Sequence, residues 1–538
     1  MSKQKKDFTE DWLLYEKGKD YNYSIDLYST VNRNERFYRG DQWEGVEAGD
    51  LPTPVFNIFK RIINYYISTI MSSKTSMRFT YASPYGAEGY ITKDEVSRIT
   101  DTVNKVLDDK AQHLRLDGLL SDALEDAAVS GDAVAYTYFD PHVKTGQKFG
   151  GDFKTVLVDN TNVFFGNPNL ASVEGQPYIL ISSRETVSSL REAARRNGVS
   201  EDEISKIAPD SETATQSGSL SAKEQEGTKC TAVIKLWLDE KGYVRYRKSV
   251  KNAVIAPETE TKLRRYPVCF MNWTRAKGSW HGQAVATGLI ENQIFINKSF
   301  AMVMKHMMDT AFSKVVYDST VIDNWTNLVG EAIAVNGNVD GVAKVLSSGQ
   351  MQSGMLDVIN MAIQHTKEFI GATDTALGDV TPTNTSAILA LQQASNMPLE
   401  NIKRQLYRFV EELGLIWLDF VFAYYDDKRL VYEENGTYHP FPVSRFRSAL
   451  FDCRVDVGAS SYYSEIASLN TLDSLLQLGH ISLKQYLERI PDNLIPKKAE
   501  LLEEVTRAAE AASRESFPDA TETTLDGVQD TVSEGEKE

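Results

Sequence analysis

Ile58, Ile62, Tyr65, Tyr66 and Thr69 recur at spacings of three and four, the period of one helical face. They predict a helix that starts at Val55, once Pro52 and Pro54 are passed, and ends near 71–73. Met77 to Tyr81 alternates and predicts a short strand. Residues 91–129 carry two helical stripes, Val96, Ile99, Val103 and Leu107, then Leu116, Leu119, Leu120 and Leu124. Ser130-Gly131-Asp132 stops the second helix, and a strand follows at 133–139. Further strands are predicted at 155–158, 178–182, 232–238, 243–250 and 268–273, with a helix at 184–197 closed by Gly198. Residues 209–229, rich in Ser, Thr, Glu and Gly, predict a solvent loop. The first fifty residues are polar and aromatic and end in Arg36-Phe37-Tyr38-Arg39-Gly40-Asp41-Gln42-Trp43.

The middle of the chain reads differently. One long helix is predicted over 282–311, then short β-like pieces at 314–317, 332–335 and 342–346 between glycine turns. A helix over 354–371 leads into a Gly- and Pro-containing loop at 371–384. The helical period resumes over 385–425, and Pro398 predicts a kink near 395–396 because proline lacks an N–H and crowds the preceding turn. Residues 429–457 are β-like, and 465–478, 483–490 and 496–512 are helical. From Glu500 on, twelve acidic residues face three basic ones, and after about 516 core material runs out, which predicts disorder. No internal repeat is visible.

Composition narrows the function. The 538 residues, 42% hydrophobic and 25% charged, suit a globular chain of several subdomains. A net charge of −17 argues against a protein that grips DNA by its phosphates, and it suits a surface past which DNA slides. Cys230, Cys269 and Cys453 lack zinc-site spacing and predict free thiols. The basic N-terminus is followed by no apolar run, so no signal peptide is expected. The most apolar segment, 290–308, contains Glu291, Lys298, Lys305 and His306, and predicts a helix buried against protein rather than a membrane span.

Motifs for catalysis are missing. Gly18-Lys19 is followed by Asp20, so there is no phosphate-cradling Gly-Lys-Ser/Thr loop. The seven histidines are isolated. Gly278-Ser279-Trp280-His281-Gly282 only superficially suggests a serine-hydrolase elbow, and His281 is expected at the surface or as a cap. The acidic pairs Asp108-Asp109, Glu411-Glu412 and Asp426-Asp427 read as solvated faces rather than metal ligands. No cofactor, metal or catalytic residue is expected.

The order long helix, small α/β insert, returning helix, Gly-rich loop, long kinked helix resembles the portal family of tailed bacteriophages. So do the aromatic Gly40-Asp41-Gln42-Trp43 signature, the 57–79 helix and strand, the 131–140 strand, and Phe369-Ile370-Gly371-Ala372-Thr373-Asp374-Thr375-Ala376-Leu377-Gly378 followed by Asn384-Thr385-Ser386-Ala387. The resemblance implies a mixed α+β portal fold. Its divisions are an N-terminal part and wing (1–281), a descending stem helix (282–311), a clip (312–350), a returning stem helix (351–371) and a tunnel loop (372–384). A kinked tunnel helix with wing strands (385–460), a helical crown (461–515) and an acidic tail (516–538) complete it.

The resemblance further implies a homo-oligomeric ring of twelve at the unique capsid vertex, through which double-stranded DNA is packaged, retained and ejected. Expected partners are the large terminase, the head–tail connector or adaptor, the major capsid protein and scaffold protein, with no membrane. Channel contact is expected from Lys298 and Lys305, seven apart on one helix, and from the tunnel-loop residues Thr373, Asp374, Asp379, Thr381, Thr383 and Asn384. Clip contacts are expected from Asn336, Asn338 and Asp340. Two alternatives stand beside this: a nucleic-acid-processing enzyme of packaging, distinguished by metal-dependent cleavage, and another capsid or adaptor protein, distinguished by the lack of a ring.

Overall fold

The first residues, which show no clear apolar period, form two helices, α1 (Lys3–Ser24) and α2 (Leu27–Arg39). The computed structural model describes residues 3–72, 75–82, 93–147, 150–211, 228–311, 314–322, 333–336, 338, 340–346, 354–369, 397–434, 437–440, 443–445, 447, 449–457, 462–490, 498, 501–502 and 504–507. They divide into two units, 1–458 and 459–538.

In the first unit α3 (Ile58–Ile70), β1 (Thr75–Tyr81), α4 (Lys93–His113) and α5 (Leu116–Ser130) follow α2. Asn57 caps α3, its side chain accepting the Lys60 N–H, so the helix starts there and not at Val55. Two antiparallel sheets come next. The smaller has the order β3 (Asp152–Val158), β2 (Asp132–Asp140), β9 (Val268–Asn272). The larger runs β4 (Val163–Phe165), β5 (Ile179–Thr186), β6 (Lys229–Leu238), β7 (Val244–Val250), β8 (Ala253–Glu260). Helices α6 (Val187–Arg196) and α7 (Glu201–Ile204) cover part of it, with Leu190, Ala194 and Ile204 buried against Ala232, Val250 and Ile255.

Then come α8 (Val285–Ala311), the hairpin β10 (Lys314–Tyr317) with β11 (Ala343–Leu346), and α9 (Gly354–Phe369). A 3-10 turn, Met397–Leu399, opens α10 (Glu400–Tyr424). β12 (Leu430–Glu434) pairs with β13 (Thr437–Pro440), and β14 (Phe451–Val457) returns to pair with β1, Thr75 opposite Val457 and Tyr81 opposite Phe451. The smaller sheet packs on α10: Phe153 touches the Trp417, Phe420 and Tyr425 rings, and the Trp417 indole donates to Thr155 Oγ1 at 2.8 Å. The second unit holds α11 (Tyr462–Gln477) and α12 (Leu483–Arg489), the latter started by a Ser482/Gln485 capping box.

Several elements differ from the sequence expectation. α1 lies on the larger sheet through Trp12 and Tyr15 against Phe164, Leu180 and Val233. Its stripe is interrupted by Asp11, fully buried, whose carboxylate takes both Arg247 nitrogens at 2.7 and 2.6 Å with Lys235 at 3.3 Å. The predicted 184–197 helix is strand as far as Thr186, which then caps α6. β8 was unread because Pro257 and three exposed polar residues fill its second half. Residues 333–335 form no strand, and the long helix begins at Val285 because Gln283 is still bridged to Thr274. Pro398 stands in the opening turn of α10, where its missing N–H costs little; the stretch 385–396 lies outside the described residues. So do 212–227, most of the predicted 496–512 helix and the acidic tail. All three cysteines are free and buried.

Asp126 on α5 is pushed up to about 7, first by burial and then by Asp159, Glu125, Asp122 and Glu35. Folding therefore takes up a proton here: the contribution to stability is full below the ordinary value of 3.8 and is lost as pH rises through about 7. Asp126→Asn is expected to raise the melting temperature at pH 8 and to leave it nearly unchanged at pH 4, read by thermal denaturation at both pH values.

Candidate channel: the stem helices and their hairpin

Helix α8 starts from a turn that is locked to the smaller sheet. Asp132, fully buried, accepts four hydrogen bonds: Asn272 Nδ2 and the Gly282 N–H at 2.6 Å on one oxygen, His281 Nδ1 at 2.7 Å and Asn160 Nδ2 at 3.1 Å on the other. Gly282 is required at this contact, since a Cβ would lie 2.7 Å from both Asn272 and the Thr274 carbonyl oxygen. Trp280 stacks on Phe165, with ring centroids 4.3 Å apart. His281 is thus buried, against the expectation of a surface residue; its partner is remote in sequence. It forms no relay with Ser279, whose hydroxyl accepts the His281 backbone N–H, while the imidazole Nε2 has no hydrogen-bond partner.

Leu289, Ile290 and Ile296 bury the first half of α8. Gln293 and Asn297, also buried, bond to the entry of α3 and to Gln42. Sequence reasoning missed these amides; the available signal was polar residues inside an apolar stripe, next to a Gly-Asp-Gln-Trp motif.

Lower down the surroundings change. Met302, Met304, Met307 and Met308 are exposed, Met308 at 64%. Leu356, Val358 and Met361 on α9, which packs along α8, are exposed as well. Lys298 is half-buried, and Lys305 pairs with Asp309 one turn on at 3.5 Å. At the foot, Asn336, Asn338 and Asp340 are exposed; the Asn336 N–H donates to the Val321 carbonyl at 3.0 Å, and Asn338 Oδ1 accepts the Asp340 N–H at 3.3 Å. Thr373, Asp374, Asp379, Thr381, Thr383 and Asn384 lie outside the described residues. Among the described residues no three His, Cys, Asp or Glu side chains gather to hold a metal, and no helix is long and apolar enough to cross a membrane.

Residues 190–449, from α6 through the stem, hairpin and α10, match the family described as Phage P22-like portal protein. This match covers 260 of the 538 residues and supports a tailed-phage portal protein. No curated protein matches the chain. The portal match points to a structural protein of the phage capsid that serves genome packaging. The family implies association with capsid and terminase, an oligomeric ring and a place at the capsid's portal vertex.

Exposed apolar residues gathered on two packed helices mark a surface for a partner. The triple substitution Met304→Lys, Met307→Lys, Met308→Lys costs the isolated subunit little, within about 0.5 kcal/mol per exposed site. It is expected to leave the circular dichroism unchanged and to shift sedimentation velocity from ring to monomer.

Proposed function

We propose that twelve copies of this chain close into a ring whose stem helices α8 and α9 surround the path of double-stranded DNA. The observation that carries the reading is the division of α8: its upper part is seated in the wing, and its lower part keeps apolar side chains in solvent. Each copy presents one such surface to the next, a head-to-tail contact that closes when the rotation between copies is an integral fraction of a turn. The hairpin at the foot, with Asn336, Asn338 and Asp340 exposed, is the clip, the docking surface for the large terminase and afterwards for the head–tail connector. Major capsid protein, and scaffold during assembly, meet the ring around its wing.

A conduit for DNA of any sequence has no use for base contacts, and tight phosphate contacts would stall it. The net charge of −17 fits this, because repulsion keeps the duplex moving. Lys298 and Lys305, repeated around a ring, form two circles of positive charge that touch phosphate transiently. Thr373, Thr381, Thr383 and Asn384 offer uncharged hydrogen bonds from the tunnel loop, and Asp374 and Asp379 repel the duplex. Asp379→Lys is expected to lower the amount of nuclease-protected DNA in a packaging assay, with ring formation unaffected. Wild-type packaging by this variant would remove the loop from the channel.

A further inference from the structure

The seat of α8 in the wing is unusually polar for a buried helix contact. Gln293 Nε2 donates to the Phe56 carbonyl at 2.7 Å and to Asn297 Oδ1 at 3.0 Å, and its Oε1 accepts the Phe59 N–H at 3.2 Å. Asn297 Oδ1 also accepts the Phe56 N–H at 3.3 Å, and its Nδ2 donates to Gln42 Oε1 at 2.7 Å. Gln42 Nε2 donates to the Phe37 carbonyl at 3.1 Å. The three side chains are at most 2% exposed, and each of their amide oxygens and nitrogens has a partner. Phe59 lies in the first turn of α3, where helix N–H groups have no partner of their own, so α8 caps the helix it packs on.

We infer that the buried amides Gln42, Gln293 and Asn297 fix the angle at which the stem leaves the wing, and through that angle the number of copies that close the ring. The inference rests on the ring reading above. Apolar contacts tolerate sliding and rotation, since any greasy neighbour serves. A fully satisfied amide network does not, because a small rotation leaves buried donors and acceptors unpaired. Buried polar side chains set register and oligomer number in coiled coils by the same physics. A ring subunit meets its neighbour along both wing and stem, and both contacts must share one rotation. Rings of twelve and thirteen differ by only about 2° per copy, about 30° against about 28°. A wing–stem joint with more play than this leaves the ring number unspecified. The link runs from the Gly40-Asp41-Gln42-Trp43 motif to the middle of α8, which gives Gln42 a role that packing alone would not require of a glutamine.

The test is native mass spectrometry of assembled full-length protein, comparing wild type with Gln42→Met/Asn297→Leu and with Ile290→Val. The last loosens the same helix seat without touching an amide. The expected result is the same distribution of ring sizes for wild type and for Ile290→Val, and a broader one, with adjacent sizes gaining population, for the amide variant. Should the double variant fail to fold, Gln42→Met alone carries the same expectation, since it removes the bond between side chains and leaves the α3 cap in place. A distribution in the folded amide variants unchanged from wild type overturns the inference, as does an equal broadening in Ile290→Val. If wild type forms no ring at all, the ring reading itself fails.

Discussion

Helix α8 spans two environments: its first half is buried through Leu289, Ile290 and Ile296, and its second half keeps Met302, Met304, Met307 and Met308 exposed. The Asp132 turn fixes where the helix starts, and the burial of Leu289, Ile290 and Ile296 with the amide bonds of Gln293 and Asn297 holds its first half in place. α9 packs against α8. The methionines in the second half of α8 are flexible and polarizable, suited to a contact that must adapt as neighbours join. An exposed apolar surface of this kind suits the oligomeric ring that the portal family implies.

Charge in the wing serves rigidity. Asp11 holds Arg247 and Lys235 and straps α1 to the larger sheet. Asp152 holds Lys110 and Arg429 and accepts the Tyr425 hydroxyl, tying α4 and the end of α10 to the smaller sheet. Asp132 gathers four donors at the root of the stem. The three carboxylates are buried beside their partners, Lys110 being partly exposed, an arrangement in which removing one member is costly.

Much of this was legible in the sequence where one physical period dominates. α3, α4, α5 and the stem helix follow from apolar stripes, and the hairpin at the foot of the stem from short runs between glycines. Failure came where long-range partners rewrite a residue's meaning. A carboxylate in the stripe of α1 looks like solvent until Arg247 is found opposite it, and His281 looks like surface until Asp132, 149 residues earlier, closes on it. The pairing of β1 with β14 joins segments almost four hundred residues apart, about which local pattern is silent. Gln293 and Asn297 read as breaks in an apolar helix, although they are its most specific contacts. For the candidate site, element order led to α8, the hairpin and α9, whereas the exposure of Met302, Met304, Met307 and Met308 could be read only from the structure.

Electron microscopy of the purified protein, with mass by light scattering, tests the central claim most directly. The account predicts rings with an axial hole and a mass close to twelve times 60.3 kDa. A stable monomer or dimer at high concentration, with scaffold present, would contradict it.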